Sequence, residues 1–380
     1  MPSEALPPMA GEPALSGAPL GGSDALPLAG LEVLAVTPTG AYRGFNTSVH
    51  RVRALESLGA HVHVVDSAPA EPPRLARLGA RVRHQLFLRG LAVSTADTAH
   101  VAARTLEAAR RRRWDIIWLE KALCIGPRDL RALRRLSPLA RLVGFAADDM
   151  CLRHNQSRQF IEALPHYDCF ISTKGEAAFE LEALGCPRVV AVGNGFDPEA
   201  FRPLPLAAGD VERLGGDIGF IGTYESSRAE LLLGLARAGL RVRVWGDGWR
   251  ALRGRHQNLW IEGRPLLFDD FARACGAFKI NLGFLRKLNR DRTTTRSVEI
   301  PACGGFMLAE RTAEHLELFD EGREAEFFGS FDELLHKCRC YLADRPSREA
   351  IARRGFERCM ASGYSNAARL REAFRSVLSG

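Results

Sequence analysis

Lysine is scarce in this 380-residue chain: only five of its 52 basic residues are Lys, at 121, 174, 279, 287 and 337. Arginines make up the rest and are dispersed among 45 acids, so no basic block with interleaved aromatics marks a nucleic-acid surface. The one dense run, Arg110–Arg113, ends a predicted helix, where cations suit the helix dipole. No apolar run approaches the roughly 18 to 20 residues of a spanning helix, and membrane contact is expected to be peripheral at most. Cys-x-x-Cys pairs are absent too. The nine cysteines are odd in number and scattered, which excludes a disulfide framework and a clustered zinc site. Several sit in apolar runs such as Asp168–Ile171 and read as buried, reduced thiols in a cytoplasmic protein, either free or docked at the inner membrane face. Cys338 and Cys340, two apart on a helical segment, point to different faces. No Lys or Arg precedes Arg43, and the first thirty residues are rich in Pro, Ala, Gly and Ser. Neither a secretory signal nor an Arg-rich transit peptide is read there, and residues 1–29 are expected to form a disordered tail.

What the chain does contain is an ordinary globular composition, 46% hydrophobic and 26% charged, at a length that suits two or three domains. From Leu31 short apolar runs alternate with helical periodicity: Leu31–Val36, a helix from Thr47 to Gly59, then His61–Asp66. A strand, helix, strand unit implies parallel strands with a right-handed crossover. Residues 67–96 are less regular, after which the alternation resumes through Asp115–Leu119, Arg141–Phe145, Cys169–Ser172 and Val189–Val192. The stretch Pro203–Gly209 has no sustained period, and Ile218–Gly222 restarts the pattern. The reading is an α/β protein of two Rossmann-like doubly wound domains, residues 30–205 and 212–360. A terminal helix, 361–380, is expected to pack back on the first domain. Two such domains leave a cleft at the carboxyl ends of both sheets.

Three groups of residues can carry chemistry in that cleft. In Phe220–Arg228 a strand ends at Gly222, a short loop with Thr223 follows and a helix begins near Ser226. Amides at a helix start attract phosphate, and Arg228, turned towards the loop, can neutralise it. Strand-Gly-helix turns also arise for packing alone. In Asn289–Gly305, Asp291 and Glu299 flank Thr293, Thr294 and Thr295 together with Arg290, Arg292 and Arg296. Two acids beside hydroxyls and a helix start, Glu299 about two turns in, suit sugar hydroxyls. The plainer reading caps the helix with Asp291 and the threonines, and pairs Glu299 with an Arg one turn away. On the other side, Asp148, Asp149 and His154 follow the strand ending at Phe145 and are candidates for a base or for acceptor binding. The loop Thr37–Gly44 follows the first strand, and its Gly-x-x-x-Gly spacing makes no dinucleotide fingerprint. His50, one turn into the next helix, reads as a surface or packing residue.

Asp291-x7-Glu299, followed by Ile300–Gly305, resembles the paired-acid motif of retaining GT-B glycosyltransferases. The longer string through Glu310–Thr312 and Phe319–Ala325, with Ala147–Met150, Thr173–Lys174 and Gly195–Pro203 upstream, is similar to the glycosyltransferase-like family that includes a spore-coat maturation protein (CgeB-like). The resemblance spans roughly residues 31 to 375 and is most specific in the second half. It implies GT-B architecture and a nucleotide-sugar donor on the second domain, held by Gly222, Thr223, Arg228, Thr294, Thr295, Arg296 and Glu299. Glu299 would meet the ribose hydroxyls and Asp291 the donor sugar, and the resemblance strengthens Asp148 and Asp149 as candidates for a base or for acceptor binding. Asp291 stands where the broader superfamily has Glu, one methylene longer. The same resemblance implies an Arg228-led cation pair on the diphosphate, completed by Lys287, Arg292 or Arg296, with no metal or other cofactor. The expected acceptor is a glycan, a lipid-linked molecule or a protein, in surface polysaccharide or glycoconjugate synthesis. An epimerase, a phosphorylase and a binding module without turnover are the alternatives on the same cleft.

Overall fold

A computed structural model of the protein describes residues 26–40, 45–68, 74–91 and 93–378. Most of the expected tail, residues 1–25, and residues 41–44 of the first-strand loop lie outside the described residues. The first sheet is built by β1 (Glu32–Thr37), β2 (His61–Asp66), β3 (Ile116–Glu120), β4 (Arg141–Ala146), β5 (Cys169–Ser172) and β6 (Val189–Ala191). Its helices are α1 (Thr47–Ser57), α2 (Arg74–Leu88), α3 (Val101–Arg111), α4 (Pro127–Leu136), α5 (Arg158–Ala163) and α6 (Ala177–Ala183). After α7 (Asp210–Leu214) the second sheet forms from β7 (Gly216–Ile221), β8 (Val242–Trp245), β9 (Leu259–Ile261), β10 (Phe278–Gly283), β11 (Met307–Glu310) and β12 (Glu326–Phe328). Between and after them come α8 (Ser226–Arg237), α9 (Asp269–Ala277), α10 (Arg296–Ala302), α11 (Ala313–Leu318), α12 (Phe331–Ala343), α13 (Arg345–Ala361) and α14 (Asn366–Leu378).

All neighbouring strands pair in parallel, in the orders β2-β1-β3-β4-β5-β6 and β12-β11-β10-β7-β8-β9. Helices cover both faces, which is why β3 and β5 are buried along their whole length and read as continuous apolar runs. The order in which strands are added reverses between β1 and β3 in one sheet and between β7 and β10 in the other. These switch points open crevices at the strands' carboxyl ends, and the cleft lies there. Local signals fix the helix starts around it: the Ser48 and Val49 amides donate to Asn46 Oδ1 at 3.0 and 3.1 Å ahead of α1. Pro127 opens α4, and the Gly126 amide donates to Asp129 Oδ2 at 2.9 Å.

From α13 the chain returns to the first domain: the Phe196 amide donates to the Tyr364 carbonyl and the Asn366 amide to the Phe196 carbonyl. There α14 buries Leu370, Phe374 and Val377 against Val33, Ile116 and Trp118. The irregular stretch 67–96 in fact holds the 15-residue helix α2. It is illegible in the sequence because Leu78 and Val82 face outwards among arginines, which breaks the apolar stripe of an amphipathic helix. The three-residue strand β12 is too short to show a period. None of the nine cysteines is in a disulfide, and Cys338 is buried while Cys340 is exposed.

Candidate active site

On the second domain the buried strand β7 ends at Ile221, and Gly222 accepts the Trp249 Nε1 proton at 2.8 Å through its carbonyl. A Cβ at Gly222 would stand 2.7 Å from the Phe220 ring, so glycine is needed for packing. Gly246, at φ +131°, lets the β8 loop pass over the Gly222 carbonyl, where a Cβ would come within 2.1 Å. Thr223 follows, and α8 starts at Ser226 with no side chain capping its first amides, which therefore face a ligand or water. Arg228 does turn towards this loop. It is only 5% exposed, and its guanidinium donates to the Thr223 carbonyl at 3.1 Å and the Phe284 carbonyl at 3.3 Å. Its Nε has no partner, and burial lowers its pKa. Among the described residues no carboxylate pairs with it.

The segment between β10 and α10 crosses the cleft. Asp291 Oδ1 accepts from Lys174 Nζ at 2.5 Å and from Asn289 Nδ2 at 2.7 Å, so it does not cap the helix. Because α10 begins at Arg296, Glu299 lies in its first turn and not two turns in. Its carboxylate is 1% exposed and paired with Arg296, one turn away as the plainer reading has it. Arg296 also donates to the Ile221 carbonyl at 3.3 Å and stacks over Phe271. Burial, ahead of the opposing Arg296 contact, raises the Glu299 pKa. Ser297 fixes the turn: its Oγ accepts the Thr294 amide at 3.0 Å and lies 2.7 Å from His315 Nε2. His315 Nδ1 donates to the Glu310 carbonyl at 2.6 Å, and burial keeps the ring neutral by lowering its pKa. The unprotonated Nε2 then accepts the Ser297 hydroxyl proton.

The first domain contributes one acid to the cleft wall, not two. Asp148 faces in, paired with Lys121 at 2.5 Å and Arg286 at 3.7 Å. Burial pushes its pKa up, but Lys121, Arg286 and Lys174 outweigh that and hold it below the ordinary range. A carboxylate so stabilised is a weak proton acceptor. Asp149 is turned out of the cleft and buried against Arg290 at 2.5 Å, while its amide donates to Asn289 Oδ1 at 3.0 Å. It ties the domains together, which corrects the expectation that both adjacent acids reach the ligand. His154 is exposed on a 3-10 turn outside the cleft lining.

His50 lines the cleft, buried edge-on between Phe45 and Phe201. Burial, with Arg53, Arg51 and Arg296 opposing Asp197, lowers its pKa from 6.5 to about 4. Between those two values the unfolded chain binds the extra proton and the folded one does not. Stability therefore falls as pH falls through that window. His50→Gln is expected to flatten this acid limb, read as melting temperature against pH; a limb of unchanged slope would show that His50 does not set it.

The cleft thus gathers Gly222, Thr223, Arg228, Thr294, Thr295, Arg296, Glu299, Asp291 and Asp148 around a cavity of about 380 Å³, within the usual range for small-ligand sites. Lys287 is drawn off by Glu310 and Arg292 by Glu176. Of the three candidates for a second cation only Arg296 lines the cavity. Two further cations line it as well: Lys174, which the resemblance included without assigning it a role, and Arg286, whose only sequence signal was its place just after the end of β10.

Residues 228–375 match a family model described as glycosyl transferase-like. A search of curated proteins finds no match. Among solved structures, the chain is similar to sucrose-phosphate synthase from Thermosynechococcus elongatus (TM-score 0.63, 12% identity, covering 92% of this chain and 99% of that one). It is similar also to HepE from Anabaena in complex with UDP-glucose (0.58, 15%, 92% and 99%). A third is a glycosyltransferase from Rickettsia africae (0.60, 13%, 92% and 99%). The shared architecture is GT-B, two parallel six-stranded sheets facing a cleft.

Proposed function

We propose that the protein transfers a sugar from a nucleoside-diphosphate donor to a glycan, lipid-linked or protein acceptor in glycoconjugate synthesis. The transfer is metal-independent and retaining, and the chain sits within the spore-coat maturation-like group. The observation that carries this reading is Arg228. A buried guanidinium that pairs with no carboxylate among the described residues, beside the uncapped amides of α8, suits an anion. A donor diphosphate suits it, and Glu299, lining the cleft from the same domain, can accept ribose hydroxyls.

Breaking the sugar to phosphate bond leaves an oxocarbenium-like sugar and adds charge to the diphosphate. Arg228 and the α8 amides stabilise that charge where it develops. Lys174 holds Asp291 in place, and Asp291 orients the donor sugar. In a retaining transfer the leaving phosphate can take the acceptor's proton on the same face, so no protein base is required, and Asp148, paired with Lys121 and Arg286, is left to bind. HepE is described with UDP and with UDP-glucose, which makes a uridine donor the first candidate.

Thermal unfolding with UDP, GDP, dTDP, ADP and CMP, with Mg²⁺ or with EDTA, tests the reading, since a ligand bound only to the folded state must raise its stability. One nucleotide is expected to stabilise without metal, by about 2.7 kcal/mol at a hundred times its Kd. No shift from any of them at saturating concentration would leave a binding module without a donor site. A shift only with Mg²⁺ would overturn metal independence.

A further inference from the structure

Between Glu71 and Asp97 the chain has no acid and five arginines, at 74, 77, 81, 83 and 89. Most of this stretch is α2. Its inner side is anchored by Phe87, buried beneath the Arg153 guanidinium, which donates to the Phe87 carbonyl at 2.6 Å. Its outer side is apolar as well as basic. Leu78 and Val82, one turn apart, are 60% and 50% exposed, and Leu91 just beyond the helix is 53% exposed. Gln85 and Arg89 continue the same stripe, and Arg81 and Arg83 flank it, all exposed.

Some arginines of this domain find acids, as Arg111 does with Glu107, Arg112 with Glu32 and Arg158 with Glu162, while Arg110, Arg113, Arg128 and Arg135 are exposed without an ion pair among the described residues. What sets α2 apart is that its arginines share a face with exposed Leu78 and Val82. Among the described residues Arg81, Arg83 and Arg89 form no ion pair. The outward leucine and valine are poorly accommodated by water, and the arginines beside them carry charge that no acid of the described residues neutralises. Such a face suits a surface offering anions and hydrocarbon together. Duplex nucleic acid would satisfy the arginines but leave Leu78, Val82 and Leu91 in water.

We propose that α2 is a docking surface for an anionic phospholipid bilayer. The apolar area is small, so attachment is reversible and governed by charge. The surface also has a useful position. The 3-10 turn Arg153–Asn155, on which α2 rests, reaches the cleft wall: Asn155 Nδ2 donates to Asn289 Oδ1 at 2.9 Å. Docking through α2 would therefore hold the membrane against an element contiguous with the cleft wall. The docking itself does not depend on the proposed transfer, whereas a membrane-borne acceptor would depend on both.

The test is sedimentation of the full chain with phosphatidylcholine vesicles, with and without phosphatidylglycerol, at low salt and at about 0.5 M salt. Two variants accompany it, Arg81→Gln/Arg83→Gln/Arg89→Gln and Leu78→Ser/Val82→Ser. All five positions are exposed, so both variants should keep the wild-type melting temperature and any nucleotide-induced shift. Loss of that shift reports on the donor site and not on α2. Binding is expected only with the anionic lipid, and high salt should abolish it. The arginine variant should weaken it on the order of 100-fold, from roughly a factor of five per charge, and the apolar variant by about tenfold. Failure to sediment with anionic vesicles at low salt, or wild-type binding by the arginine variant, overturns the proposal. Binding that ignores Leu78→Ser/Val82→Ser and is matched by retention on duplex DNA overturns it too, in favour of a general polyanion site.

Discussion

Replacing Arg228 with methionine is expected to lower transfer by roughly 100- to 1,000-fold, the usual cost of losing one preorganised donor to a developing negative charge. Lysine should not rescue it. The guanidinium reaches two carbonyls on different loops, those of Thr223 and Phe284, and a single ammonium lacks that planar fork. The free variant is expected to be as stable as the wild type or slightly more so, because the native site holds a buried charge with one orphaned nitrogen. Low activity with an undiminished melting temperature would identify a group kept for binding. A variant that keeps activity within about threefold of wild type would remove Arg228 from the transition state. A variant that loses activity only by unfolding would make it a packing residue.

Much of the fold is legible in the sequence because strands buried on both faces are apolar throughout, and the helices between them carry a 3.6-residue period. Where those rules are broken the reading fails, as at α2, whose outward Leu78 and Val82 mimic loop composition. Such a local violation of pattern marks a surface under some demand other than folding, and on α2 the unpaired arginines beside those two side chains say which kind.

The cleft divides in the same way. Contacts within a few residues can be read directly: Arg228 turning back to Thr223, or Arg296 beside Glu299. Contacts across domains cannot, since nothing in a single sequence couples Lys174 to Asp291 or Arg290 to Asp149 and Glu180. Those cross-domain pairs decide which acids remain available. Asp149 is consumed in joining the domains, and its neighbour Asp148 is left in the cleft. One residue of difference turns the side chain from the cleft wall to the domain junction.

Glu299→Gln separates function from stability in the opposite direction to most active-site substitutions. Glu299 is buried and its pKa is raised, burial acting ahead of the Arg296 contact. From the ordinary carboxylate value of about 4.3 upwards, to its own raised value, the folded protein binds more protons than the unfolded one. Stability is therefore lost as pH rises through that window, and the loss persists above it. Glutamine keeps the shape and carries no charge, and Arg296, a third exposed, can turn to water. The variant is expected to match the wild type at low pH and to exceed it in urea unfolding as the pH rises. Donor binding should move the other way, by about 10- to 100-fold, since a charged acceptor of two ribose hydroxyls is replaced by a neutral one. Unchanged nucleotide affinity would sink the assigned role of Glu299. A stability difference that shrinks with rising pH would mean that Arg296, and not burial, governs the carboxylate.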